Sequence, residues 1–89
     1  MKSVTTENFR ECYSLLPAHI KRAAQKAYRT WKKNPNHPSL KFKQVHPTDP
    51  IFSVRISLGY RAIGVQDEST MIWYWIGSHN DYEVMLKKL

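Results

Sequence analysis

The chain predicts an α+β domain in which a two-helix hairpin packs on a four-stranded, mainly antiparallel sheet, with a short closing helix or tail. Three observations carry that expectation. Apolar residues in the first third recur at helical spacing, those in the second half recur every other residue, and the later runs are joined by short turn-rich links. No glycine-rich crossover separates the strand-like runs, so hairpins should connect them.

Thr5 or Thr6 can cap a first helix, with Glu7 beside its positive end. Phe9, Cys12, Tyr13 and Leu16 follow at i, i+3, i+4 and i+7, a buried stripe that makes Cys12 a core residue and not a nucleophile. Pro17 closes this helix and suits the first turn of the next, which should run to about Lys33. The inner stripe of the second helix is Ile20, Ala23, Ala24, Ala27 and Trp31, and its alanines permit close packing. Arg22, Lys26, Arg29 and Lys33 recur at the same period on another face, the most regular charge pattern in the chain.

Asn34-Pro35-Asn36-His37-Pro38-Ser39 cannot extend a helix and marks a tight connection. Leu40 to Val45 alternates, with Lys41 and Lys43 on one side and Phe42 on the other. It should join the sheet before the breaker His46-Pro47-Thr48-Asp49-Pro50. Phe52 to Ile56 alternates again: Phe52, Val54 and Ile56 point to the core, Ser53 and Arg55 away from it. Tyr60–Val65 and Met71–Ile76 complete the set, and Val84, Met85 and Leu89 are the contacts available to the closing segment.

Turn chemistry predicts the register. A three-residue loop Ser57-Leu58-Gly59 sets Ile56 opposite Tyr60, Val54 opposite Ala62 and Arg55 opposite Arg61, whereas a two-residue loop would mix core and surface on one face. A turn over Gln66–Ser69 sets Ala62 opposite Trp73, Gly64 opposite Met71 and Arg61 opposite Tyr74, small against large. Two arginines then stand side by side. Like charges so placed repel, and a polyanion over that face would relieve them.

Eighty-nine residues form one domain, 1–89, with one modest core. Fourteen lysines and arginines against seven acidic residues give a net charge of +7, a field suited to nucleic acid or to an acidic protein. A single cysteine cannot form an internal disulfide, which fits a reducing cytoplasmic setting, and neither a signal-peptide core nor a membrane-spanning run is expected. Cys12, His37, His46 and His79 have no zinc-like spacing, and no phosphate loop or nucleotide fingerprint occurs, so neither metal nor cofactor is expected.

The order of these pieces resembles the RelE/ParE superfamily of toxins from bacterial type II toxin–antitoxin pairs. The matching residues are Asn34-Pro35, His37-Pro38-Ser39-Leu40, Lys41-Phe42-Lys43, Ser53-Val54-Arg55-Ile56, Gly59-Tyr60-Arg61-Ala62-Ile63 and Trp73 to His79 with Tyr82. They cover nearly the whole chain. The resemblance implies a compact cytoplasmic toxin neutralised by a cognate antitoxin, with operator DNA bound only through the antitoxin. RelE-like members cut mRNA, commonly on the ribosome, using the 2′-hydroxyl as nucleophile. ParE-like members instead poison DNA gyrase without cutting RNA.

Cleavage by that route needs a proton acceptor, cations for the charge on the phosphorane, and a proton donor for the leaving 5′-oxygen. Arg61 matches the superfamily's strand arginine and is assigned to phosphate stabilisation, with Arg55 beside it. Lys41 and Lys43 would hold flanking phosphates or ribosomal RNA. His79 exchanges a proton near neutral pH and is the acid–base candidate. Tyr82 falls near the family's C-terminal aromatic, where it would stack on a base or contact the 2′-hydroxyl. The face departs from RelE in carrying Ser53 where a basic residue is expected, and Tyr82 follows His79 after a shortened spacer.

Overall fold

The computed structural model describes residues 1–89. Its elements are β1 (Lys2–Thr5), α1 (Glu7–Ser14), α2 (Ala18–Lys33), a 3₁₀ turn (Pro38–Leu40), β2 (Lys43–Gln44), β3 (Ile51–Ser57), β4 (Tyr60–Asp67), β5 (Thr70–Ser78) and α3 (His79–Lys87). The strands form one sheet in the order β1-β5-β4-β3-β2. The class is α+β, as expected, with one strand more than the four foreseen.

That fifth strand is β1, which runs parallel to β5 with Val4 opposite Ile72. Its residues Lys-Ser-Val-Thr have no clear alternation, and only Ser3 is even half-buried. Pairing with a strong central strand, not its own propensity, makes it a strand. Thr6 then turns the chain into α1, its hydroxyl accepting a bond from the Phe9 amide at 3.1 Å.

α1 and α2 lie on the same sheet face, α1 over β5 and α2 over β3. Between them sits the main core of Ile20, Ala24, Trp31, Val54, Ala62, Trp73 and Ile76, flanked by Phe9 and Phe42. Trp31 anchors it, meeting Trp73 edge-on at 5.3 Å between ring centres and Phe42 at 6.0 Å. Cys12 is half-buried and free, packed at the margin of the core.

The other sheet face is also covered. α3 lays Tyr82 on Ile63 and Trp75, with Ile51, Met85 and Leu86 around them. Ser53, expected to point away from the core, is therefore only 2 % exposed. It does face away from the main core, but alternation cannot reveal that a helix covers the second face.

The first hairpin keeps the expected pairs: Val54 faces Ala62 and Arg55 faces Arg61. A bulge between Arg55 and Ser57 then places Ser57, not Ile56, opposite Tyr60. The second hairpin differs. Asp67 pairs with Thr70 around a two-residue turn, and Glu68 takes the left-handed conformation (φ 54°). Ala62 thus faces Ile76, Gly64 faces Trp73 and Arg61 faces Gly77, in place of Trp73, Met71 and Tyr74. A bulge after Ile63 adds Tyr74 to β5, and Asn8 Nδ2 donates to the Tyr74 carbonyl at 2.8 Å.

Small against large survives this slip. A Cβ on Gly64 would lie 2.8 Å from the Trp73 ring and 3.0 Å from Met71 Sδ. β2 is shorter than expected, because Leu40 belongs to the 3₁₀ turn and Lys41 is left-handed (φ 47°). It pairs Lys43 with Ser53 and Gln44 with Phe52, which leaves the edge of β3 beyond Ser53 unpaired.

Candidate active site

The α3 side of the sheet gathers the candidate chemistry. Side chains of cross-strand partners share a face, so Arg55, Arg61 and Gly77 form a row across β3, β4 and β5. One residue beyond Gly77 the strand ends, Ser78 caps α3 by accepting from the Asp81 amide at 3.2 Å, and His79 opens the helix. The closing segment is thus a helix, capped by Ser78.

The β3–β4 turn ties this end together. The His79 amide donates to the Gly59 carbonyl at 2.7 Å. Arg61 Nη1 donates to the carbonyls of Ser57 (2.7 Å), Tyr60 (2.9 Å) and Leu58 (3.2 Å). One nitrogen of the guanidinium therefore holds the turn, while the rest of the fork remains for another acceptor. Arg55 has no acidic partner, since the two ion pairs in the chain are His46–Asp49 and His79–Glu83. The absence of a Cβ at Gly77 lets the Trp75 ring lie over the strand, where a Cβ would come within 2.6 Å of it.

His79 Nε2 stands 3.2 Å from Glu83 Oε1, and the imidazole is 45 % exposed. Its Nδ1 is buried without a hydrogen-bond partner. The accessible nitrogen, Nε2, is therefore the one that can exchange a proton with a ligand, and Glu83 orients it. The i, i+4 spacing of His79 and Glu83 could have shown this pair once a helix was assumed.

Tyr82 occupies a different position from the one expected. It is 5 % exposed, and its hydroxyl donates to Ser53 Oγ at 2.9 Å. Neither its ring face nor its hydroxyl is offered to a ligand. Tyr82 and Ser53 instead form a buried polar pair that fixes α3 on the sheet, with the His79 and Tyr82 rings 5.9 Å apart. Of the two lysines, Lys43 lies on the α3 side of the edge strand opposite Ser53, and Lys41 is exposed on the preceding turn.

A hollow also lies on the opposite face, a groove of about 560 Å³ between α1 and α2. Phe9, Tyr13, Tyr28 and Trp73 line it, with Arg10 and Arg29 among its polar residues. Such a lining suits apolar contact more than proton transfer. No three His, Cys, Asp or Glu side chains come together to hold a metal ion.

This fold of sheet and helices is that of a known class of small toxins. The family model described as "ParE-like toxin domain" matches residues 18–84, and the chain belongs to that family. Among solved structures, the fold is similar to a RelB–RelE antitoxin–toxin complex from Methanococcus jannaschii, with a TM-score of 0.74 and 12 % identity over 92 % of this chain and 96 % of that one. It is also similar to a YoeB/ParE toxin from Agrobacterium tumefaciens, with a TM-score of 0.71 and 19 % identity over 89 % and 99 % of the two chains. A third is the RelBE2 toxin–antitoxin complex from Mycobacterium tuberculosis, with a TM-score of 0.66 and 20 % identity over 88 % and 96 %. No curated protein matches the chain by sequence.

Proposed function

We propose that this ParE-like toxin is an mRNA endoribonuclease that inhibits translation. The observation that carries the reading is the convergence of Arg55, Arg61 and His79 on one face and one end of the sheet. Arg61 and Arg55 neutralise the phosphate under attack, with fork donors suited to equatorial oxygens. The 2′-oxygen attacks phosphorus, the bond to the 5′-oxygen breaks, and the 2′-hydroxyl proton leaves to solvent water. His79 Nε2 returns a proton to the leaving 5′-oxygen. The products are a 2′,3′-cyclic phosphate and a 5′-hydroxyl, a route that asks for no metal.

Lys41 and Lys43 hold flanking phosphates of the message or of the ribosome. Tyr82 enters as a positioning residue through its bond to Ser53, not as a group that touches RNA. A co-encoded antitoxin is the natural partner: an acidic amphipathic segment fits the apolar groove with Arg10 and Arg29 among its lining.

The test is a cleavage assay with purified toxin and translating ribosomes. Wild-type protein is expected to cut message at defined codon positions, and His79→Ala and Arg61→Ala to lose at least 100-fold of that rate, within the range expected of proton-transfer and charge-stabilising groups. Intact message with wild-type protein contradicts the reading.

One observation favours a second reading, a gyrase-binding toxin. Part of the Arg61 fork is spent on the β3–β4 turn, and a neutral, buried Ser53 stands where a cation was expected. Inhibition of supercoiling at stoichiometric toxin, with RNA untouched, is its signature.

A further inference from the structure

α2 carries Lys21, Arg22, Lys26, Arg29, Lys32 and Lys33 without one acidic residue, and no acidic residue occurs anywhere between Glu11 and Asp49. Two of these cations are used inside the molecule. Lys21 sits over the Tyr13 ring at 5.8 Å, and Lys32 Nζ donates to the Met1 carbonyl at 3.0 Å. The other four, Arg22, Lys26, Arg29 and Lys33, fall within one narrow sector of the helix, opposite the buried Ile20, Ala24 and Trp31. All four are exposed, and neither ion pair of the chain involves them. A rise of about 1.5 Å per residue spaces them about 5 to 6 Å apart along the axis, of the order of the distance between successive phosphates on a strand.

This ridge connects with the candidate active site at one place. β2 covers β3 only at Phe52 and Ser53, and beyond them a hollow of about 370 Å³ opens between α2 and the free edge of β3. Lys26 and Thr30 line it from the helix, Ser39 from the 3₁₀ turn, and Arg55 and Ser57 from the strand. Thr30 already donates to the Lys26 carbonyl at 3.1 Å, and the Ser39 hydroxyl lies 2.8 Å from His37 Nδ1. Lys26, Arg55 and Ser57 all line the hollow, and none of their side chains is engaged in an ion pair. Two uncompensated cations and a hydroxyl donor in a partly enclosed space make a site for a phosphate monoanion.

We propose that this hollow is a second phosphate subsite, where Lys26, Arg55 and Ser57 hold a backbone phosphate of the RNA strand outside the reacting nucleotide and pass the strand to the cationic ridge of α2. The proposal rests on the nuclease reading and deepens it. Arg55 belongs to both sites, so the strand rounds the open edge of β3 without leaving positive potential. An acidic protein segment meets the same charges, but continuity with the Arg55–Arg61 row favours the polymer that the row itself would bind.

The test uses the 89-residue chain with His79→Ala to prevent cutting, and a fluorescent 12-nucleotide single-stranded RNA as the probe. Anisotropy is read across a salt series. Lys26→Ala is expected to weaken binding about three- to tenfold at 0.1 M salt and to reduce the slope of log K against log salt by about 0.7, the value for one single-strand phosphate contact. Ser57→Ala weakens binding with the slope unchanged, and Lys2→Ala, on the opposite sheet edge, changes neither. Binding of Lys26→Ala within twofold of its parent, at the same slope, overturns the subsite. So does a result in which Lys26→Ala loses binding to poly-glutamate while holding RNA normally. If wild type fails to cut message but these RNA-binding losses appear, the nuclease reading falls and the subsite stands. If wild type cuts and the losses are absent, the subsite alone falls.

Discussion

The most informative single residue is Tyr82. Its hydroxyl and that of Ser53 satisfy each other in a place closed to water, so removing one leaves the other unpaired. Tyr82→Phe and Ser53→Ala are each expected to lower stability by about 1 to 2 kcal/mol, and the double variant by less than the sum, in a denaturant-based mutant cycle. Tyr82→Phe should leave the cutting rate within a few-fold of wild type; a loss matching that of His79→Ala would return Tyr82 to the reacting groups. Arg61 has two duties, and Arg61→Lys separates them. The lysine keeps the charge but cannot bond three carbonyls of the β3–β4 turn while presenting a fork, so both cutting and stability should fall. The pairing of Arg55 with Arg61 was legible because turn length and alternation fix which face a strand residue occupies. The Tyr82–Ser53 bond was not, because it depends on where a helix lands, and twenty-eight intervening residues carry no local signal of that.

Among the elements, the two hairpins show how far a turn can be read. The first was placed by keeping core residues on one face, although its turn is the two residues Leu58-Gly59 in place of the expected three and Gly59 takes no positive φ. The second was misplaced because Gln-Asp-Glu-Ser-Thr contains no glycine to locate the tight turn, and Glu68 itself takes the positive φ. What survived was the complementarity of Gly64 with its aromatic neighbours. Gly64→Ala would drive a Cβ to 2.8 Å from the Trp73 ring and 3.1 Å from the Ile72 carbonyl. It is expected to cost about 1 to 3 kcal/mol, seen as a lower thermal or urea midpoint. β1 lay beyond sequence reasoning for the opposite reason. It has no pattern of its own and exists through its pairing with β5.

At the scale of the molecule, two layers of helix enclose a mixed sheet, and each sheet face answers a different need. One holds the tryptophan-centred core, and the other carries the arginine row beside a helix whose first residue is His79. Burial raises the Tyr74 phenol above its ordinary value. Below about pH 10 folded and unfolded chains both keep that proton, so stability is unaffected; above it the unfolded chain releases the proton first and stability falls through the folded-state value. The urea midpoint of wild type should therefore decline above about pH 10 more steeply than that of Tyr74→Phe. No helix is long and apolar enough to cross a membrane, and the net charge of +7 gives the whole surface an attraction for polyanions.

The central claim is that this basic sheet face makes the 2′-hydroxyl of RNA the attacking group. A message carrying a single 2′-deoxynucleotide at the preferred cut position tests it most directly, alongside the all-ribose message on the same ribosomes. Loss of cutting at that position alone, with 2′,3′-cyclic phosphate and 5′-hydroxyl ends on the all-ribose product, is the predicted result. Equal cutting of both messages, or neither cut while gyrase supercoiling stops, would contradict it.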